Sequence, residues 1–426
     1  MKIMATGDLH IGRAPSRLPE SLSQRADELG PSAVWNLMVE QAIEKDVKAV
    51  VLAGDVVEEE SDFFEAYRIL DEGIRRLVRG GIKVFAVAGN HDVRVLPRLA
   101  DQIDDFHLLG RGGEWESCTL QEDTESLTLH GWSFNTEKVI DNPLREFHSR
   151  RGAGVNLGLL HCDRDQSGSV YAPVSSAELK SAGLDCWLLG HIHVPERLTP
   201  ELPIGYLGSA VGLDPGEPGD RGPWLLELAK GRITAIEHFL IAPLHWDRLT
   251  VDVSSIQEPE DVRGLLLKRI DELSRDLTAR ALPPAAAGLR VEFTGRSDLR
   301  GRIQELFESQ HEALENLYSG EGRTQFFIER LSYSIQPALD MADLARRSDP
   351  PGLLARQLLK LEGEPEDPER RELLAKARAR LAEQAAKPWW RTLGDDSQIS
   401  EEKAAEWLRQ AGLAALDKLL SQEEKK

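Results

Sequence analysis

The sequence predicts an α/β protein in four layers, two packed β-sheets flanked by helices, followed by a small α+β cap and C-terminal helices. Three observations carry this expectation. From Met1 to about Leu240, short apolar runs alternate with helical stretches, the signature of stacked strand and helix layers. Between Leu108 and Gly131, and again after Pro203, the rhythm changes to short β-type segments, enough for a second sheet. Five of the apolar runs stop abruptly in polar residues, and in open α/β sheets ligands collect beyond the carboxyl ends of the strands.

In chain order, residues 2–6 (KIMAT) run into Gly7-Asp8-Leu9-His10. Residues 32–45 carry Val34, Leu37, Met38 and Ala42 at helical spacing, and residues 63–78 repeat this with Phe64, Ile69, Ile74, Leu77 and Val78. Between them, residues 49–53 (AVVLA) end in Gly54-Asp55. Residues 82–87 (IKVFAV) lead to Gly89-Asn90-His91-Asp92. Short strands are expected over 118–121 and 127–130. Residues 155–160 (VNLGLL) run into His161, and 186–189 (CWLL) into Gly190-His191-Ile192-His193. Further β-like runs cover 204–207, 224–228 and 232–240, and Pro243 closes a first domain spanning 1–243.

A second domain is expected over 244–334, with strands at 249–253 and 289–294, helices at 258–277 and 299–314, and 281–288 (ALPPAAAG) as an internal linker. Residues 335–426 read as helical and polar. One amphipathic stripe carries Leu373, Leu374, Ala377 and Leu381 within 368–386, and another carries Ala405, Leu408, Leu413 and Leu416 within 401–420. Such helices pack on their own domain or dock on a partner. Pro365 and Pro368 among acidic residues suggest a tethered tail, which Trp389-Trp390 could anchor.

A chain of 426 residues exceeds what one growing core accommodates. Hydrophobic and charged contents of 41% and 29% are those of a globular protein. No long apolar run or signal peptide is evident, so a cytoplasmic protein without membrane association is expected. Cys118, Cys162 and Cys186 form no CxxC pair and read as reduced thiols. The formal net charge of −20 speaks against a broad polyanion-binding surface. Acidic residues are, however, concentrated toward the C-terminus, as in 361–367 (LEGEPED), and a metal centre binds phosphate with its own charge.

The ordered set Asp8, His10, Asp55, Asn90, His161, His191 and His193 mixes carboxylate, amide and imidazole donors, a set that suits Mn²⁺, Fe or Zn²⁺ better than an all-oxygen or all-sulfur site would. Seven donors are too many for one such ion with open positions and about right for two. Two ions roughly 3.5–4 Å apart can clamp both attacking and leaving oxygens of a phosphoryl displacement, and Asp55 is the natural bridge.

These blocks, D-x-H, G-D, G-N-H-D, a lone H and G-H-x-H, resemble the calcineurin-like metallophosphoesterases, in the same order and over about residues 1–240. The resemblance implies one ion on Asp8, His10, Asp55 and His193 and a second on Asp55, Asn90, His161 and His191. It also implies catalytic roles for His91, which stabilises the transition state or protonates the leaving oxygen, and for Asp92, which orients the His91 ring. The further layout is similar to the bacterial SbcD type of DNA repair exonuclease. Asp8-Leu9-His10-Ile11-Gly12, Tyr206-Leu207-Gly208-Ser209, the strand at 224–228 and the cap with its following helices carry that likeness. It implies a homodimeric Mn²⁺-dependent nuclease for DNA ends, single strands and hairpins, acting in repair or recombination. The implied partner is an SbcC-like ABC-type coiled-coil ATPase, which would dock on the C-terminal helices. The alternatives are a phosphoesterase for nucleotides or other phosphoesters, and a non-catalytic subunit of the ATPase.

Two departures stand out: Val56-Val57-Glu58 follows Asp55 where such nucleases more often carry an aromatic and then Asp or His, and Val93-Arg94 follows Asp92. His107, His130, His148 and His245 lack a block around them and read as structural or surface residues. Cys162 is not counted as a ligand. Arg145, Arg150, Arg151 and Arg164 read as solvated surface rather than as a DNA track.

Overall fold

The structure is a computed structural model and describes all residues except 149–150, 167, 309–316, 319–323, 365, 386–399 and 424–426. Its strands are β1 (Lys2–Thr6), β2 (Ala49–Ala53), β3 (Lys83–Val87), β4 (Phe106–Leu108), β5 (Glu116–Glu122), β6 (Glu125–Trp132), β7 (Val155–His161) and β8 (Cys186–Gly190). They continue with β9 (Ile204–Tyr206), β10 (Trp224–Ala229), β11 (Arg232–His238), β12 (Leu244–Asp252), β13 (Ala286–Thr294), β14 (Leu317–Tyr318) and β15 (Gln325–Tyr333).

Two sheets form the frame of the site. One has the order β11-β10-β1-β2-β3-β4, and the other β5-β6-β7-β8-β9. β1 to β4 run parallel, as do β6 to β9. Parallel strands covered on both faces read as continuous apolar runs, and here the two faces can be separated. Ile3, Ala5, Val51, Phe85 and Val87 pack against Leu127, Leu129, Leu157, Leu159 and Leu188 of the second sheet. The alternate residues Met4, Val50, Leu52, Val84 and Ala86 pack with Val34, Trp35, Met38, Leu70 and Ile74 of the helices Pro31–Glu44 and Phe63–Arg79. The outer face of the second sheet is covered in the same way, with Leu160, Trp187 and Leu189 packed among Trp132, Val174 and Leu179. Sheet–sheet packing and helices on both outer faces give the four layers.

A third sheet, β12-β13-β15-β14, carries the helices Asp261–Thr278 and Arg300–Glu308 on Leu249, Val251, Leu289, Val291 and Phe293. Three details differ from the sequence reading. β12 begins at Leu244, β15 adds a strand, and residues 286–288 of the expected linker are the start of β13. Gly288 leaves room for Trp246: a Cβ there would lie 2.0 Å from the Trp246 ring and 2.7 Å from Phe327. Leu244, Trp246, Ala286 and Phe327 join the hydrophobic cluster of the first sheet, so apolar packing is continuous past Pro243. The end of the helix expected over 299–314 lies outside the described residues.

Residues Met1–Gly295 with Leu299–Ile335 form one compact unit, and Arg296–Asp298 with Gln336–Lys426 form another. In the second unit the helices Pro350–Leu361, Pro368–Ala385 and Glu401–Glu423 bury Ala355, Leu358, Leu361, Leu374, Ala404 and Leu416. Pro365, Trp389 and Trp390 lie outside the described residues. Among the described residues no helix is long and apolar enough to cross a membrane.

Candidate metal centre

All five polar blocks stand at the carboxyl ends of parallel strands: Asp8 and His10 after β1, Asp55 after β2, Asn90 to Asp92 after β3, His161 closing β7, and His191 and His193 after β8. The backbone there is tightly bent. Asp8, His10, Asp55 and His191 have φ of 48°, 53°, 47° and 99°, a left-handed region that residues with a side chain seldom occupy and that clusters at functional sites. Glycine makes the approach possible. At Gly54 (φ 88°) a Cβ would lie 2.5 Å from His161 Nδ1, and at Gly190 it would lie 2.0 Å from the Ala53 carbonyl oxygen.

The donors converge in two principal groups, Asp8 with His10 and His193, and Asp55 with His161 and His191, each with one ligand atom per residue within 4.8 Å of the others. His10 Nε2 faces His193 Nε2 at 3.1 Å. His161 Nε2 lies 3.1 Å from Asn90 Oδ1 and 3.2 Å from Asp55 Oδ2. The Asp8 carboxylate accepts the His191 N–H at 3.0 Å. Asp8, His10, Asp55 and His161 are all buried.

The outer ring nitrogens explain the orientation. His161 Nδ1 lies 3.0 Å from the Ala53 carbonyl, His193 Nδ1 2.6 Å from Glu217 Oε1, and His10 Nδ1 2.6 Å from Glu58 Oε2. A neutral imidazole that donates through Nδ1 has its lone pair on Nε2. Three such lone pairs then point at one another or at carboxylate and amide oxygens, so a cation or a proton must lie among them. That donor set, with outer partners fixing each ring, fits a divalent ion with mixed nitrogen and oxygen ligands. His191 Nε2 lies 3.4 Å from Asp163 Oδ1, itself buried.

Electrostatics follow the same geometry. Burial disfavours a charged His161, yet the Asp55 carboxylate and its hydrogen bond push the ring up to about 9. Burial likewise works against Asp55, but His161, with His10 and His91, holds that carboxylate well below the usual range. His10 is raised against its burial by the contact with Glu58, then by Asp55 and Asp8. Glu58 is lowered chiefly by the His10 contact. Glu217 is lowered, its burial being outweighed by His193. His191 is lowered by burial and by the charge on His161.

His91 is exposed at the rim, its ring edge-on to His10 at 5.2 Å between centroids, and its main-chain N–H donates to Asp55 Oδ1 at 2.9 Å. Asp92 does not orient it. The Asp92 carboxylate is fully buried and accepts the N–H groups of Val56 and Gly89, each at 2.7 Å, while His91 Nδ1 lies 3.2 Å from the Glu58 carbonyl. The buried Asp92 carboxylate instead ties the β2 loop to its own turn, alongside the His91 N–H on Asp55. Burial and the nearby Asp55 push Asp92 up to about 7 despite its two N–H partners.

Asp163, Glu217 and Arg221 do not enter the sequence reading, and Glu58 enters it only as part of a departure from the family pattern, without a role. Arg221 is buried and donates to the His193 carbonyl, and to Ser209 Oγ at 3.0 Å, fixing the loop that carries His193. Glu58 and Asp163 lie two or three positions past a ligand block, the only sequence signal they give. The four histidines read as structural or surface residues hold such places: His130 lies between Ser117 and Asn156, His107 stacks on Phe85, His245 faces Asp247, and His148 is exposed. Arg151 pairs with Asp185 and Arg164 with Glu196, Arg145 is exposed, and Arg150 lies outside the described residues. Cys162 is buried, and burial pushes its thiol far up.

Comparison with known proteins agrees with this geometry. Residues 1–195 match the calcineurin-like phosphoesterase family, and residues 246–336 match the middle domain of metallophosphoesterase YhaO. The chain is 26% identical over 259 residues to an uncharacterized metallophosphoesterase YhaO of Bacillus subtilis, covering 58% of this chain and 62% of that protein. It is 24% identical over 291 residues to the DNA double-strand break repair protein Mre11 of Methanopyrus kandleri, covering 62% of each. The Mre11 of Aeropyrum pernix is 27% identical over 268 residues, with 59% of this chain and 64% of that one covered. The chain thus spans less than two thirds of the length of these relatives. The ordered donor blocks and the match to the calcineurin-like phosphoesterase family thus fall on the same residues, within 1–195 of this chain.

Proposed function

We propose that the chain is a Mn²⁺-dependent nuclease that hydrolyses DNA phosphodiesters with two metal ions. The observation that carries this reading is the similarity to two DNA double-strand break repair proteins over 291 and 268 residues, longer stretches than the 195 residues of the phosphoesterase match.

In this reading Asp8, His10 and His193 hold one ion, and Asp55, Asn90, His161 and His191 hold the other. The pair would polarise the phosphoryl group and activate water at neutral pH. Glu217, Asp163 and the Ala53 carbonyl keep the rings in place. His91, exposed beside His10, is the group placed to deliver a proton to the leaving oxygen.

A surface feature supports a polyanionic substrate. Arg248, Arg290 and Arg330 occupy one register level across β12, β13 and β15. Arg248 and Arg330 are exposed, and Glu329 is the carboxylate that pairs with Arg290 at 2.6 Å. Like charges directly opposite each other in a sheet are destabilising, and phosphates laid along the row would relieve that cost. In the second unit, exposed Leu353, Leu359 and Trp407 would give a coiled-coil ATPase partner, or a second copy of the chain, an apolar foothold.

The test is release of label from linear and hairpin DNA by the purified chain with Mn²⁺, run beside His91→Ala and beside bis-p-nitrophenyl phosphate. Cleavage of DNA that falls at least about 100-fold in the variant is the expected result. Hydrolysis of the small ester with DNA left intact would instead favour a phosphoesterase for small substrates.

A further inference from the structure

Glu58 touches two histidines of the site with different parts of itself. Its side-chain Oε2 lies 2.6 Å from His10 Nδ1, and its main-chain carbonyl lies 3.2 Å from His91 Nδ1. His10 Nδ1 and Glu58 Oε2 are both buried, and although they lie 2.6 Å apart neither has a hydrogen-bond partner of regular geometry. Each therefore depends on the other, since no second polar partner reaches either atom among the described residues.

The backbone around this contact is riveted. His10 N–H donates to the Asp55 carbonyl at 3.0 Å, Ile11 N–H to that of Val56 at 2.9 Å, and Glu58 N–H returns to that of Ile11 at 3.0 Å. Ile11 and Val57 form a parallel bridge. The loop after β2 thus moves with the loop after β1, so Glu58 is set on a fixed frame rather than on a free side chain.

We propose that Glu58 is a positioning residue whose carboxylate fixes the tautomer of His10 and so aims its Nε2 into the metal centre. A neutral imidazole carries one proton, and the partner of one nitrogen decides which nitrogen offers its lone pair. A carboxylate at Nδ1 selects the Nδ1–H form, and Nε2 then faces His193 Nε2 at 3.1 Å. Glu217 stands at His193 Nδ1 at the same distance, 2.6 Å, there as a regular hydrogen bond. At His91 Nδ1 the acceptor is a carbonyl that any residue at position 58 would supply; the Glu58 carboxylate lies near that ring too, within 4.8 Å, but makes its close contact at His10 Nδ1. The inference rests on the proposed role of His10 as an ion ligand, and its hydrogen-bonding part can be read without metal.

Two measurements on the full chain test it: calorimetric titration with Mn²⁺, and long-range ¹H–¹⁵N spectra of the histidine rings recorded before metal is added. Glu58→Ala is expected to weaken Mn²⁺ binding by about 10–100-fold, to shift His10 away from the Nδ1–H form, and to leave the tautomer of His91 unchanged. Glu58→Gln, whose amide oxygen still accepts, keeps the His10 tautomer and loses less affinity. It also serves as the folded control should the alanine variant unfold. The proposal is overturned if His10 in Glu58→Ala keeps the tautomer and the Mn²⁺ affinity of the unmodified chain, or if Glu58→Gln shifts the tautomer as far as alanine does. Should the unmodified chain bind no Mn²⁺ while the tautomer moves as expected, the metal reading fails and the hold of Glu58 on His10 stands.

Discussion

Nε2 of His10 and Nε2 of His193 face each other at 3.1 Å, although 183 positions separate them in the chain. Both rings have carboxylates at Nδ1, so two lone pairs are pressed together unless a positive charge lies between them. Divalent cations should therefore stabilise the fold. At a free Mn²⁺ concentration of 100 times Kd the gain is about 2.7 kcal/mol, read as a higher unfolding temperature that a chelator reverses and that His193→Ala largely abolishes.

Asp92 and His91 are neighbours with opposite fates. Asp92→Asn leaves one of the two N–H groups of Val56 and Gly89 without an acceptor in a buried place, which should cost about 1–3 kcal/mol in urea denaturation. His91→Ala removes an exposed ring and should change stability by no more than about 0.5 kcal/mol while removing most of the hydrolysis.

His238 stacks on Trp224 with 4.4 Å between ring centroids, and burial pushes its imidazole down to about 4. Between about pH 4 and 6.5 the unfolded chain binds the proton and the folded chain does not, so stability rises with pH across that window. The contribution is about 2–3 kcal/mol. His238→Phe keeps a stacking ring without a titrating group. The difference in unfolding free energy between it and the unmodified chain, followed over that window, should carry the slope.

The row Arg248, Arg290 and Arg330 predicts a salt-dependent hold on duplex DNA. Replacing the exposed Arg248 and Arg330 together by alanine should flatten the dependence of log K on log salt by about 2. Hydrolysis of bis-p-nitrophenyl phosphate should not change, since neither residue belongs to the metal centre.

The candidate metal donors were legible because each sits at a strand end, where an apolar run breaks into D, H or N, and five such breaks come in order. The layering was legible for a related reason: β1 and β2 read as uninterrupted apolar runs because alternate residues meet the second sheet and the helices. Glu58, Asp163 and Glu217 were not legible. Their role depends on which ring nitrogen faces outward, and that is decided by turns with positive φ that no local pattern reports. Asp92 was misassigned because adjacency in sequence suggested adjacency of side chains, whereas the turn after β3 sends the two in opposite directions. Residues 286–288 looked like a linker because they are small. Gly288 among them is small because Trp246 lies across it.

The most direct test of the account is the stoichiometry of Mn²⁺ binding, measured by calorimetry on the metal-stripped chain and on Asp55→Ala. Two ions per chain, with loss of at least one in the variant, is the predicted result. One ion or none per chain at saturating Mn²⁺ would contradict the proposed two-metal centre and the hydrolytic mechanism built on it.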